Sequence, residues 1–251
     1  MIGQHSVRAV VLLGAVAGIA SAQDATKKPP YEFVADFSLA ASQGNQEVTT
    51  VSLGQRYSYV FPNWKFSQTA SAVRGTANGT KNAELYQGGL RLDRNLTKPW
   101  SLYVTTTALR NTPAGLTSQF SEGIGVGLQV LDTDIDKLQL SAGVGSLQTA
   151  YVGSAPNAND FVGNVDGLFR HMFSKVSYFE QTAGFVPNFS RTTAWLFNSK
   201  TSVVAPLSSK IGIKVGYQVN YNNLPPFKTP STSVRFRKFD GLLTTGVQFT
   251  Y

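Results

Sequence analysis

The 251-residue chain contains no cysteine, so no disulfide staples it and no thiolate is available as metal ligand or nucleophile. Histidine is almost as scarce, with two in the whole sequence, His5 and His171. A transition-metal cluster built on imidazole and thiolate therefore lacks its ligand set. Charge is thin, at 14% of residues. Long apolar runs are missing too. The one continuous stretch, the twelve residues Ala9 to Ala20, falls short of the ~18 that a spanning helix needs. No other segment comes near that length, so a membrane-spanning helix is excluded.

The short apolar run has a different use. Met1 to Arg8 is a small positive region, and Ala20-Ser21-Ala22 fits a small-x-small cleavage pattern. Residues 1–22 read as a secretory signal peptide cut after Ala22, with an uncleaved anchor as the alternative. Removing Arg8 takes the formal charge from +8 to +7. Residues 23–30 form a polar, Pro-containing periplasmic leader, and 31–251 carry no linker or shift of composition, which argues for one domain.

What fills that domain is a two-residue hydrophobic period. In the last stretch Leu243, Thr245, Val247, Phe249 and Tyr251 fall on one face, and Thr244, Gly246, Gln248 and Thr250 on the other. The run from Ile211 to Tyr221 repeats the pattern most cleanly, and 31–39 and 51–61 carry it as well. Weaker copies lie near 64–74, 84–96, 100–110, 118–131, 137–149, 161–173, 175–186 and 192–205. With the last stretch this makes about twelve strands, each near the 9–11 residues that a tilted strand needs to cross hydrocarbon. Tight turns are expected at 62–63, 97–99, 133–136, 174–175 and 208–209, and longer loops at 76–82, 111–115, 153–160 and 222–233. The short hairpin around Gly44-Asn45 breaks this alternation.

Aromatics gather where two interfaces belong: Phe61, Trp64, Trp100, Phe169 and Phe173 beside the turns, Phe185, Trp195 and Tyr221 near the loops. The fold class is therefore all-β, a transmembrane antiparallel barrel of about twelve strands with up-and-down topology. In lipid an open sheet would leave two unpaired edges. A secreted β-sandwich or soluble barrel shares the alternation but not the paired aromatic belts. The closing strand also resembles the C-terminal strand of bacterial outer-membrane barrels. That likeness implies that Leu243, Val247, Phe249 and Tyr251 act as a signal for the barrel-assembly machinery.

If the apolar parity faces lipid, the other parity lines the lumen with Glu32, Asp36, Arg56, Lys65, Arg91, Asp93, Asp166, Arg170, Glu180, Lys200 and Lys214. In a narrow barrel these groups either pair into an internal scaffold or line a pore for small ions and solutes. Gly123, Gly125, Gly127, Gly143 and Gly145 share that parity, and either let the strands coil tightly or leave room for neighbours. Glu122 falls on the lipid parity, which calls for a bulge or a place near the rim.

No catalytic constellation emerges. His171 shares the parity of Phe169 and Phe173, which reads as an interfacial side chain, and no inward serine neighbours it as a lipase pair would require. Asp134 and Asp136 sit in a turn, and Gly123 to Gly127 lacks the Gly-Lys-Ser/Thr of a phosphate loop. The basic cluster Arg235-Phe-Arg237-Lys238 lies at the outer rim, suited to lipopolysaccharide phosphates or to solvent rather than to nucleic acid. The chain is expected to need no cofactor and to be no enzyme. Its surroundings are expected to be outer-membrane lipids and lipopolysaccharide, with oligomeric state left open.

The order Gly44-Asn45-Gln46-Glu47, Arg91-Leu-Asp93-Arg94, Leu109-Arg-Asn-Thr-Pro-Ala-Gly-Leu116, Gly123-Ile-Gly-Val-Gly127 and Leu138-Gln-Leu-Ser-Ala-Gly-Val-Gly145 resembles the YdiY-like family of salt-induced outer-membrane proteins, a domain family without assigned function. It departs at Asn111, where an Asp is expected. The resemblance implies a barrel of the cell outer membrane linked to osmotic or salt conditions, and it carries over no catalytic residue. The functional expectation is a narrow pore or an envelope-integrity protein. A barrel enzyme acting on lipid and a non-conducting structural or surface barrel are the alternatives.

Overall fold

A computed structural model describes residues 29–42, 48–153, 156–228 and 234–251. The signal peptide, nearly all of the leader and the Gly44 to Glu47 hairpin lie outside the described residues. Twelve antiparallel strands follow in chain order: β1 (Tyr31–Ser42), β2 (Val48–Val60), β3 (Trp64–Ala77), β4 (Thr80–Thr97), β5 (Trp100–Asn111), β6 (Leu116–Asp132), β7 (Asp136–Tyr151), β8 (Ala158–Met172), β9 (Tyr178–Val186), β10 (Leu196–Pro206), β11 (Ile211–Asn222) and β12 (Phe239–Thr250). Each pairs with its sequence neighbours, and β1 pairs with β12, closing an up-and-down barrel. The strands are longer than hydrocarbon alone requires, reaching 18 residues in β4 and 17 in β6.

The two-residue period sorts side chains as the alternation implied. Leu39, Leu53, Ile124, Val144, Phe161, Val165 and Leu243 are exposed on the outer wall. Trp195 stacks on Tyr221 at 5.1 Å and lies 5.8 Å from Phe185 at the loop rim, while Trp64 and Trp100 begin their strands at the turn rim. The interior holds little apolar material, chiefly Val34, Val73, Leu85, Leu147, Val162 and Val204.

Three differences from the sequence reading are the clearest. The expected loop at 76–82 is a two-residue hairpin: Asn78 and Gly79 both take positive φ (48° and 73°), the backbone of a tight primed turn. β9 begins at Tyr178 rather than 175, because Ser174 folds the preceding turn back by accepting from the Val176 and Ser177 amides. The strand expected over 192–205 begins only at Leu196. Pro187 has no amide to donate, so regular pairing stops before it, although its carbonyl still accepts from Gly163. Residues 187–195 thus form a loop.

The lumen glycines make room for one large side chain. Tyr103 is 1% exposed. A Cβ at Gly125 or at Gly143 would stand 2.6 Å from its hydroxyl. Gly125→Val should therefore destabilise the barrel by about 1–3 kcal/mol through overpacking, measured as the urea midpoint for folding into lipid vesicles.

Candidate functional site

The lumen is crossed by charged groups at its turn-rim end. Arg56 on β2 donates from Nη1 and Nη2 to the two oxygens of Glu180 on β9, at 3.1 and 3.0 Å. These strands stand five places apart around a ring of twelve, close to diametrically opposed. Arg170 on β8 donates to the same carboxylate through Nε at 2.8 Å and also through Nη2, and its Nη1 reaches Glu32 on β1 at 3.4 Å. Tyr178 lies under the Arg170 guanidinium and donates across the lumen to Gln248 Oε1 at 2.7 Å. Together these contacts form a constriction between facing walls.

Higher up, Arg91 clasps Asp93 through Nε and Nη2 and lies 3.8 Å over the Tyr103 ring. Asn164 links Tyr103 to Asp166. Lys214 binds both oxygens of Asp36, at 2.9 and 2.8 Å. Lys65 faces Asp93 in register. Lys200 sits between Gln218 and Thr182 and makes no ion pair among the described residues. All eleven charged residues singled out above thus lie on the interior parity, most of them brought together in the groups just described.

The loop rim carries a second closure. Residues 223–238 connect β11 to β12, six places around the ring from the β5–β6 hairpin. Yet Phe236 and Pro226 press on Gly115 of that hairpin, where a Cβ would meet them at 2.6 and 2.9 Å. The described flanks of this connection, at Pro226 and Phe236, therefore lean across the mouth. Arg235 is spent inside it, donating to the Pro225 carbonyl at 2.6 Å and covering the Phe227 ring. Arg235 nonetheless stays exposed, as the reading of a solvated loop edge requires. Beside it, Arg191 turns in from the 187–195 loop onto Asp160, 2.8 Å through Nε. That hydrogen bond holds the guanidinium proton more tightly than usual.

Sequence reasoning missed several partners. Tyr103, Tyr178, Gln248 and Asn164 carry no charge and attract no notice in a strand pattern. Asp136 was read as a solvated turn residue, but it begins β7 and contacts His171 Nδ1 at 2.7 Å, so this outward-facing histidine is anchored. Leu243, Phe249 and Tyr251 are exposed on the outer wall of the closing strand and its end, with Val247 half-exposed between them.

No bulge turns Glu122 away from the outer wall. It pairs regularly with Thr106 and Ser146, and the irregularities of β6 lie elsewhere, near Leu116 and Gln129. It stands six residues above Leu128, the register partner of Trp100. That is roughly 14 Å into the apolar band for a tilted strand. It points outward beside a hollow of about 530 Å³ lined by Phe66, Leu92, Val104 and Ile124, with no partner among the described residues. A carboxyl there opposes insertion, so Glu122→Leu should stabilise the folded barrel by about 1–2 kcal/mol in vesicle refolding titrations. Glu180→Gln should cost about 3–5 kcal/mol in the same assay, because two arginines lose their shared anion.

The family DUF481, described as a protein of unknown function, matches residues 35–238. The Escherichia coli (strain K12) protein described as uncharacterized protein YdiY is 23% identical over 211 residues, 84% of this chain and 82% of its own length. Among solved structures, the NanC porin superposes with a TM-score of 0.51 at 11% identity, covering 87% of this chain and 98% of that one. The translocator domain of the autotransporter NalP from Neisseria meningitidis gives 0.48 at 12% identity, covering 90% of both chains.

Proposed function

For this chain, which belongs to the DUF481 family and folds as an outer-membrane type of barrel, we propose the role of a narrow, gated conduit for ions and small polar solutes. The observation that carries this reading is the cross-lumen contact of Arg56 and Arg170 with Glu180. A barrel held together only by its wall has no need of a charge bridge across its bore. A bridge of side chains, unlike a packed apolar core, opens by rotamer change and admits water. The polar surfaces above it, with Asp36, Lys200, Lys214 and Asp166, give a hydrated path. The loop across the mouth supplies a second barrier. Nothing in this machinery calls for bond-making chemistry, and the protein acts without catalysis.

The outer membrane is the proposed location, reached by export through the signal peptide and insertion by the barrel-assembly machinery. Lipopolysaccharide phosphates meet Arg237 and Lys238 at the loop rim. Ionic strength weakens exposed charge contacts, which gives a physical basis for the proposed link to osmotic or salt conditions.

Planar-bilayer recording of refolded protein tests the reading. The wild-type barrel should show small conductance steps, and Arg56→Ala combined with Glu180→Ala should enlarge them severalfold. A silent double variant that still shows heat-modifiable gel mobility would identify a structural, non-conducting barrel instead.

A further inference from the structure

We infer that the lumen contains a binding station for a small anion, inorganic or carboxylate, anchored by Lys200 and completed by the hydroxyls of Ser38, Ser52 and Ser71. The inference rests on the conduit reading and names what that conduit selects.

The cations of the lumen are not equivalent. Arg56 and Arg170 share Glu180, Arg91 holds Asp93, and Lys65 stands beside Asp93 in register. Lys214 engages both oxygens of Asp36, so that carboxylate is already committed. Lys65 and Lys200 make no ion pair among the described residues, and of the two only Lys65 has a carboxylate in register, whereas Lys200 has none. Its register neighbours, Gln218 and Thr182, are neutral, and its side chain is exposed within the bore. It lines one chamber with Lys214, Asp36 and the three serines, a cavity of about 60 Å³. Lys214 and Asp36 cancel, which leaves the chamber with one uncompensated positive charge.

The opposite wall offers donors. Ser38 and Ser52 are cross-strand partners on β1 and β2, and Ser71 follows on β3 opposite Gly54. None of the three hydroxyls is engaged with another protein group among the described residues. Gly54, Gly216 and Gly246 line the same space without side chains and keep it open. The cavity has room for a few water molecules, which suits chloride, nitrate or acetate. A cation in a half-enclosed chamber, faced by hydroxyl donors and no free carboxylate, is complementary to an anion and repels a second cation.

Two measurements test this separately from the conduit reading. In a potassium chloride gradient across a planar bilayer, the reversal potential of the wild-type barrel should report anion preference. Lys200→Gln should abolish that preference, and Lys200→Glu should invert its sign. In detergent or vesicles, nitrate or acetate at constant ionic strength should raise the heat-modifiability midpoint of the wild type but not of Lys200→Gln, since a ligand that binds the folded state stabilises it. Anion-dependent stabilisation without conductance would overturn the conduit and keep the station. Cation-selective conductance, or stabilisation unchanged in Lys200→Gln, would overturn the station and keep the conduit.

Discussion

The structure depends on one seam. A membrane sheet cannot leave backbone amides and carbonyls unpaired, so the first and last strands must meet. They do so over five residue pairs, from Val34 with Thr250 to Ser38 with Gly246, fewer than join any other neighbouring strands. Two backbone bonds between Phe33 and Tyr251 extend the seam, and the Tyr31 and Tyr251 rings stack beside it at 6.4 Å. Gly246 is required there, since a Cβ would fall 2.7 Å from the Ser38 Cα. Closure therefore rests on a short ladder whose approach only glycine permits.

Closing the sheet creates the second problem, a bore lined with the polar half of every strand. A soluble domain fills its centre with apolar side chains, but here those face outward. The interior is instead tied by long polar groups that reach several strands away. Arg56 with Glu180, Arg170 with Glu32 and Tyr178 with Gln248 each bridge walls that no backbone hydrogen bond connects. Such pairs gain little over an apolar filling of the same volume. What they provide is a centre occupied by polar side chains tied to one another. The glycine-rich middle of β6 and β7 serves the same economy of space, giving Tyr103 a place to lie against the wall.

Much of this was legible from residue order. Strand number, topology, the parity of each wall and the aromatic belts all follow from a two-residue period and the placement of Trp and Phe. The lumen charges were legible as a set, because any charge on the wet parity must point inward. Their partners were not. Glu180 and Arg56 are 124 positions apart, and nothing local tells either which carboxylate or guanidinium stands across the bore. Loops were read less well. Asn78-Gly79 carries a hairpin signature that a length-based expectation passed over, and Pro187 marks the early end of β9 through its missing amide. The loop that leans on Gly115 has no sequence signal, since contact between opposite hairpins exists only once the ring closes.

Residue order settles the wall: which residues face outward, how many strands there are and in which order they pair. These are nearest-neighbour properties, carried by alternation within each strand and by turns between adjacent ones. What happens inside depends on the closed ring. The ring's circumference sets which side chains meet across the bore, which carboxylates are consumed and that Lys200 is left over. That accounting is a property of distance through space, which spacing along a chain does not encode.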